Sequence, residues 1–423
     1  MTAATALGRA PARPLVGRAV VGLMAVAVFI NYVDRGALAT AAPLIKGEMR
    51  LSASQIGLLL SAFFWVYTPA QLLIGWVAER INPYRTLALG LAIWGVATMV
   101  SALAAGFAAL MALRLLLGLG ESAAFPCSSK ILGARLPTDK LGLANGLIAV
   151  GLALGPAFGT FAGGLIMAAA GWRVAFFVFG LGSLVWLLPW LFASARVEKG
   201  VEHRMAAEVP SFLTLLGRRA MWGAGAGHFS ANYVFYFVIF WLPLYLVKAH
   251  GLGMAQMARL GGLIYLVYAA SSLLTGLVCD RLVKRGVSPN AVYKSVIVAS
   301  HVISATAMAV SALGRGEIAI AGLFLAGLAF GWGTPAVYAI GQTLAGPKVA
   351  GKWVSLQNFL GNLAGLIAPA LTGLIVDKLG GFTWAFVVAG LAALAGAAAW
   401  GLVIHKIAPL EWSHRPLPSR ALA

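Results

Sequence analysis

Ten charge-free apolar stretches recur along this chain, each about as long as a helix that crosses a lipid bilayer. They cover residues 51–78, 86–113, 141–172, 174–195, 220–247, 260–279, 295–314, 318–347, 353–376 and 379–405. A spanning helix needs roughly 20 mainly apolar residues. Two further stretches, around Asp34 and Arg114, are similar but contain charges. The pattern predicts twelve transmembrane helices and an all-α membrane protein.

Composition indicates the same class. Hydrophobic residues make up 61% of the 423 residues and charged residues only 10%, which leaves too little polar surface to coat a soluble globule. The formal net charge of +19 does not indicate nucleic-acid binding, because the basic residues lie in short loops rather than on one face or helix.

The distribution of Lys and Arg predicts the orientation in the membrane. With the N-terminus inside, 22 of the 31 basic residues fall on the inner side, seven on the outer side and two within spans. The positive-inside rule then places both termini in the cytoplasm. A cleaved signal is not expected, because Asp34 and Arg35 interrupt the first apolar stretch and further spans follow. Cys127 and Cys279 fall near cytoplasmic ends of spans, where no disulfide is expected.

The two halves of the chain have related sequences. Residues 75–80 (Gly-Trp-Val-Ala-Glu-Arg) are echoed by residues 276–281 (Gly-Leu-Val-Cys-Asp-Arg), and Asn145 with Pro156 by Asn358 with Pro369. The longest polar stretch lies between the sixth and seventh spans. The predicted regions are an N-terminal tail at 1–17, a six-helix bundle at 18–195, a cytoplasmic linker at 196–219, a second six-helix bundle at 220–406 and a C-terminal tail at 407–423. Such halves are typical of alternating-access carriers.

Four charged residues interrupt the predicted spans, Asp34 and Arg35 in the first and Arg114 and Glu121 in the fourth. An ionised group at mid-bilayer costs at least ~2.5 to 3.5 kcal/mol, so it usually faces a polar cavity and a partner. The planar fork of Arg35 is suited to a substrate carboxylate. Asp34 and Glu121 are suited to carry protons, because the charge of a buried acid depends on its neighbours. Arg114 shares a helix face with Glu121 and is expected to support it.

Several segments resemble the major facilitator superfamily. Residues 75–85 resemble its loop motif between the second and third spans, with Glu79 where Asp is commoner and Asn82 where Gly is usual. Residues 31–35 (Asn-Tyr-Val-Asp-Arg), 114–122 (Arg-Leu-Leu-Leu-Gly-Leu-Gly-Glu-Ser), 125–126 (Phe-Pro) and 171–173 (Gly-Trp-Arg) resemble the anion:cation symporters within it. That family includes bacterial carriers of galactonate, glucarate and hexuronates, and the vesicular sialate and glutamate carriers. The resemblance covers essentially the whole chain.

The resemblance implies a major facilitator fold with inverted three-helix repeats, in a bacterial inner membrane. It implies proton-coupled uptake of an organic anion by alternating access, with a sugar acid such as an aldonate, aldarate or hexuronate as the expected substrate. The substrate carboxylate would engage Arg35 and favour protonation of Asp34 and Glu121 before the loaded cavity closes. The expected partners are the organic anion, protons and the bilayer around a functional monomer, with no metal and no cofactor besides the proton.

The resemblance assigns substrate contacts to six residues: Tyr32, Arg35, Tyr67, Trp332, Thr334 and Asn362. Helical spacing adds others, because Asn358 shares a face with Asn362, and His228 and Asn232 form a polar stripe with Tyr236 in the seventh span. Polyol hydroxyls are suited to such donors and acceptors. The alternative role of these asparagines and tyrosines is helix packing.

Two further sets of residues are expected to form a gate and a helix-packing surface rather than to bind substrate. A cytoplasmic gate that stabilises one conformation is predicted from four residues: Glu79, Arg80, Asp280 and Arg281. The glycines at 151, 155, 159 and 163 repeat every four residues. That spacing predicts close helix packing rather than phosphate binding.

An enzyme is not expected. The sequence has no phosphate-binding loop ending in Gly-Lys-Ser/Thr, and its histidines are scattered without metal-ligand spacing. An ATP-driven pump is excluded by the same missing loop. Symport leaves two alternatives open, namely an exchanger or facilitator for organic anions and a carrier of aromatic or short aliphatic carboxylates. A non-transporting organic-acid sensor is a remote alternative, because the linker and tails leave no room for an output domain.

Overall fold

The structure is a computed structural model that describes residues 14–135, 138–195 and 210–412. All regular structure within those residues is helical. The helices are α1 (Pro14–Glu48), α2 (Ala53–Arg80), α3 (Pro83–Ser101), α4 (Phe107–Glu121), α5 (Ala124–Arg135), α6 (Thr138–Ala195), α7 (Phe212–Leu216), α8 (Arg219–Lys248), α9 (Met254–Lys284), α10 (Pro289–Leu313), α11 (Glu317–Leu379) and α12 (Thr383–Ala398), which ends in a π-helical turn (Ala399–Val403). The predicted all-α class is confirmed.

Eleven helical segments of the described chain are long and apolar enough to cross a membrane. One of them, Val150–Ala195, has 46 residues, or about 69 Å of straight helix, against ~30 Å of hydrocarbon. Gly171 at φ 82° interrupts α6 and separates two spans there. Gly346 at φ 68° divides α11 in the same way. Only glycine adopts such positive φ values routinely, and the division of α6 brings the number of spans to the predicted twelve.

The described residues form two compact units. The first unit takes its residues from 1–41 and 65–203, and the second from 42–64 and 204–423. The unit boundaries therefore fall inside α1 and α2, so residues 42–64 group with the second unit rather than with the rest of 18–195. Residues 1–13 and 413–423 of the predicted tails and 196–209 of the predicted linker lie outside the described residues. The described end of that linker contains α7, which Ser211 caps.

Small residues explain why the beginning of α2 packs with the second unit. A Cβ atom at Gly57 of α2 would collide with the Pro369 carbonyl oxygen of α11, and a Cβ at Gly373 would collide with the Ala53 carbonyl. A Cβ at Gly365 would meet the Phe64 ring. The two helix backbones approach this closely only because neither carries a side chain at these positions.

Candidate functional site

The four charged residues of the predicted spans are buried together in the first unit. Asp34 and Arg35 lie on α1, Arg114 and Glu121 lie on α4, and the exposed fraction of each residue is 3% or less. Arg114 lies within electrostatic reach of the other three charges. Two acids and two arginines compensate one another, as buried charges must when they are removed from water.

Arg35 lies at the centre of this cluster. Its Nε donates a hydrogen bond to Glu121 Oε2 at 3.0 Å. Its guanidinium carbon lies 4.7 Å from the ring centre of Tyr32 and 4.3 Å from that of Tyr67, within the range of cation–π attraction. Tyr32, Arg35 and Tyr67, which sequence reasoning assigned to substrate, are therefore brought together around one guanidinium.

Glu121 has a charged partner besides the one that helical spacing indicated. Spacing along α4 favoured Arg114, which is indeed near Glu121. A direct hydrogen bond comes from Arg35 on α1, 86 positions away in the sequence. The residue predicted to hold substrate and one residue predicted to carry a proton are thus bonded to each other.

Asp34 has polar but weakly bonded surroundings. Its carboxylate faces the hydroxyls of Thr98 on α3 and Ser183 on α6. Neither carboxylate oxygen makes a hydrogen bond of normal geometry within the described part of the chain. A structural ion pair requires good geometry to offset the cost of burial. The environment of Asp34 therefore fits a proton-carrying acid better than a structural link between helices.

The glycine stripe of α6 fixes the position of α1, and with it the charge cluster. A methyl group at Gly155 would lie 2.8 Å from the Phe29 carbonyl oxygen and closer still to Tyr32. One at Gly159 would lie 2.9 Å from the Val33 carbonyl oxygen. Tyr32 and Val33 lie within one turn of Arg35. The stripe is thus a close-packing surface in the structure.

A second group of predicted substrate residues assembles in the second unit between α8 and α11. The Tyr236 hydroxyl donates to Asn362 Oδ1 at 2.7 Å. A Cβ at Gly361 would lie 2.8 Å from the His228 ring and 3.1 Å from Asn232 Nδ2, so the polar stripe of α8 lies directly over α11. His228 Nδ1 has no hydrogen-bond partner among the described residues. The cluster offers an amide, an imidazole and a phenol on one surface.

The remaining predicted residues are those of the substrate set on α11 and those of the gate. Trp332 and Asn358 are half-buried on α11, and the Thr334 hydroxyl donates to the Phe330 carbonyl of its own helix at 2.7 Å. Of the predicted gate residues, Arg281 is exposed in the last turn of α9. The side chains of Glu79, Arg80 and Asp280 lie outside the described residues, so the gate stays a prediction.

Sequence reasoning missed Asp377 near the end of α11. Its Oδ1 accepts from the Ala53 backbone N–H at 2.9 Å and its Oδ2 from the Ser54 N–H at 2.6 Å. Ser52 and Gln55 form a capping box on the same first turn of α2, which satisfies two further donors. The sequence signal was available in part, because Ser-x-x-Gln precedes an apolar run, but the acid lies more than 300 positions away.

Paired charges buried within a set of membrane-spanning helices are typical of substrate and ion pathways in multi-pass membrane proteins. The model of the Major Facilitator Superfamily matches residues 24–369, and the chain belongs to that superfamily. It is a transporter and not an enzyme.

Curated relatives match over most of their length. A probable sulfoacetate transporter of Cupriavidus necator is 30% identical over 397 residues, which cover 89% of this chain and 91% of that protein. A hexuronate transporter of Bacillus subtilis is 29% identical, with coverage of 85% and 88%. A probable L-galactonate transporter of Escherichia coli is 27% identical, with coverage of 89% and 86%.

A solved structure has the same fold. The crystal structure of a bacterial homologue of the human lysosomal transporter Spinster, described as inward-facing and unoccupied, matches with a TM-score of 0.79. The match covers 94% of this chain and 98% of that chain at 18% sequence identity. The predicted major facilitator fold is confirmed.

Proposed function

We propose that this protein imports an organic anion together with protons by alternating access, and that the anion is a sugar acid. The observation that supports coupling is the bond between Arg35 and Glu121. The guanidinium of Arg35, which is the predicted anion-binding group, is bonded to the carboxylate of Glu121, which is a predicted proton carrier. Binding of the anion to Arg35 therefore changes the affinity of Glu121 for a proton, and protonation of Glu121 changes the affinity of Arg35 for the anion.

The coupling step is an exchange of partners on Arg35. A substrate carboxylate that engages Arg35 bidentately takes over the donors that otherwise serve Glu121. The buried Glu121 then loses part of its compensating charge, and taking up a proton removes the resulting cost. Asp34 has no hydrogen bond of normal geometry in the described chain and supplies a second proton position. Release of the anion restores the Arg35–Glu121 bond and expels the proton.

Proton coupling gives uptake a driving force. An inside-negative potential opposes entry of an anion by roughly 2.3 kcal/mol per charge per 100 mV. One proton cancels that opposition for a monoanion, and a second proton makes entry electrogenic and favourable. The two acids, Asp34 and Glu121, permit either stoichiometry.

The substrate class rests on the polar cluster of the second unit and on the relatives. Tyr236, Asn362, His228 and Asn232 offer donors and acceptors that suit the hydroxyls of a polyol chain. Relatives are named as transporters of hexuronate and L-galactonate, which are sugar acids. A short sulfonated carboxylate is the second candidate, because the relative with 30% identity is named a probable sulfoacetate transporter.

The proposal includes the setting of the protein. We assign it to the bacterial cytoplasmic membrane, where it acts as a monomer. Both termini are assigned to the inner side, because 22 of the 31 Lys and Arg residues then fall on that side. In this orientation the loop between α1 and α2 faces outward, and so do the end of α8 and the start of α12.

The test compares two modes of transport in proteoliposomes for Glu121→Gln and Asp34→Asn. The probes are labelled D-glucuronate, D-galactonate and sulfoacetate. We expect each variant to lose accumulation driven by an inward proton gradient and to retain counterflow, which needs binding and movement but no net proton transfer. Ser355→Ala, an exposed position on α11, serves as the control. Unchanged gradient-driven accumulation in both acid variants would refute coupling through these acids. A wild type that shows counterflow but no accumulation driven by the proton gradient would be assigned to the exchangers.

A further inference from the structure

One pocket of the second unit is lined by more positively than negatively charged side chains. It has a volume of about 830 Å³, and all its lining residues belong to the second unit. It lies where α1, α8, α10 and α11 end and where α2 and α12 begin. Besides Tyr245, its ionisable lining residues are Lys46, Lys248, His250, Arg315 and Asp377.

The one acid of this pocket is already occupied. Both carboxylate oxygens of Asp377 accept hydrogen bonds from backbone N–H groups at the start of α2, at 2.9 and 2.6 Å. The carboxylate therefore serves the helix N-terminus, where negative charge is favourable. It is poorly placed to neutralise the cations around it.

The cations of the pocket are available to a ligand. Lys248 and Arg315 are exposed and have no carboxylate partner within the described ranges. Lys46 donates to the Leu51 carbonyl at 2.8 Å, which fixes its ammonium group at the edge of the pocket and leaves its other two donors free of that bond. Three permanent positive charges thus face a space large enough for a small organic molecule.

The remaining lining suits a molecule with a short carbon skeleton. Gly314, Gly316 and Gly380 leave backbone groups accessible, and the rings of Tyr245 and Phe382 provide an apolar wall. These two rings pack edge to face, with centres 5.3 Å apart. The wall is therefore held in place before a ligand arrives.

We propose that this pocket is an outer entry site, which binds organic anions weakly and raises their concentration before they reach Arg35. This inference rests on the proposed function, because it assumes that an anion arrives from the outer side. Clefts lined by charge of one sign focus the electric field and raise the local concentration of the opposite ion. The ligand class is a small carboxylate or sulfonate.

The first experiment measures the charge of the pocket without transport. Ala249, an exposed lining residue, is changed to Cys, while the native Cys127 and Cys279 are buried and their background is read in the parent protein. The rates at which methanethiosulfonates bearing a sulfonate or a trimethylammonium group modify the introduced thiol are compared; each reagent forms a mixed disulfide with the thiol and releases methanesulfinate. We expect Lys248→Gln with Arg315→Gln to lower the ratio of anionic to cationic rates about two- to fivefold, the size expected for two screened charges at this range. Arg259→Gln, exposed on α9 and outside the pocket lining, is the matched control.

The second measurement asks whether organic anions occupy the site. Millimolar D-glucuronate, D-galactonate or sulfoacetate should slow disulfide formation at Ala249→Cys, and the double Gln variant should abolish this protection. An unchanged rate ratio in the double variant, or a charge preference that none of the three acids reduces, would overturn the proposal.

Measurements of uptake distinguish failure of the entry-site proposal from failure of the proposed transport function. The double Gln variant should raise the KM for uptake about two- to fivefold and leave the maximal rate unchanged. Normal uptake with an unaltered KM and no charge preference refutes the entry site and leaves the transporter intact. Charge preference and protection without uptake of any of the three acids supports the site and refutes the proposed substrate class.

Discussion

Arg35 and Glu121 are bonded to each other at 3.0 Å across two helices, although sequence reasoning gave them separate tasks. Under the proposed function, the substrate carboxylate and the ionised Glu121 compete for this one side chain, so substrate binding favours protonation of Glu121. The same guanidinium lies over the rings of Tyr32 and Tyr67, so its position is set before either event. A coupling mechanism needs no long-range signal if both partners share a single donor.

Replacement of Arg35 by Lys tests whether the guanidinium fork binds the substrate carboxylate. Lysine keeps the charge but cannot form two parallel hydrogen bonds. We expect the KM for uptake of the best of the three acids to rise by about tenfold or more. Initial rates over a concentration series measure this change, with Arg259→Lys as the control. A KM within twofold of wild type would show that Arg35 acts only as a partner of Glu121.

Replacement of Tyr67 separates its ring from its hydroxyl. Tyr67→Phe keeps the ring that lies 4.3 Å from the Arg35 guanidinium carbon, whereas Tyr67→Leu removes it. A desolvated cation–π contact contributes about 2 kcal/mol, so we expect Tyr67→Leu to weaken uptake affinity markedly and Tyr67→Phe to change it little. Equal losses in both variants would assign the role of Tyr67 to its hydroxyl group instead.

Much of this architecture is readable from the sequence because its signals are local. Apolar stretches of spanning length locate the helices, and four charges within spans locate the cluster around Arg35. The glycine repeat on α6 predicts a close-packing surface, and in the structure Gly155 and Gly159 pack against α1. Each of these signals depends on neighbours within one helix.

The partners across helices were not readable in the same way. Spacing within α4 points Arg114 toward Glu121, whereas the bond from Arg35 depends on how α1 packs against α4. Asp377 has the appearance of an ordinary charge at the end of a span. Its role depends on the start of α2, which only tertiary packing brings near. Periodicity within a helix carries no information about such pairs.

The bond between Tyr236 and Asn362, 2.7 Å long, predicts energetic coupling between the two residues. Tyr236→Phe and Asn362→Ala should each raise the KM of uptake, and the double variant should cost less than the sum by about 0.5–1.5 kcal/mol. The cycle is measured on uptake of the best acid. The pair Tyr236→Phe and Ser355→Ala, which share no bond, should be additive. Additivity in the first cycle would mean that the bond does not position Asn362.

Gly155 predicts a steric limit on the position of α1. A methyl group there would lie 2.8 Å from the Phe29 carbonyl oxygen, so Gly155→Ala must push α1 away from α6 at a cost of about 1–3 kcal/mol. We expect a lower melting temperature in detergent and reduced uptake, because Arg35 moves with α1. Gly182→Ala, in the span of α6 that follows Gly171, is the control, since nothing lies within 4 Å of a Cβ there. Equal melting temperatures for both variants would contradict the close packing.

Asp377→Ala predicts local opening at the start of α2. The carboxylate accepts from the Ala53 and Ser54 N–H groups at 2.9 and 2.6 Å, and loss of such a cap costs about 1 kcal/mol. Hydrogen–deuterium exchange of a peptide covering residues 51–60 should therefore accelerate about fivefold, while peptides from α9 keep their rates. Lys378→Ala, the adjacent exposed residue, should leave exchange unchanged, because its side chain makes no hydrogen bond to α2 within the described residues. If exchange at the start of α2 stayed slow in Asp377→Ala, the capping box of Ser52 and Gln55 would be sufficient to hold the turn and the contribution of Asp377 would be negligible.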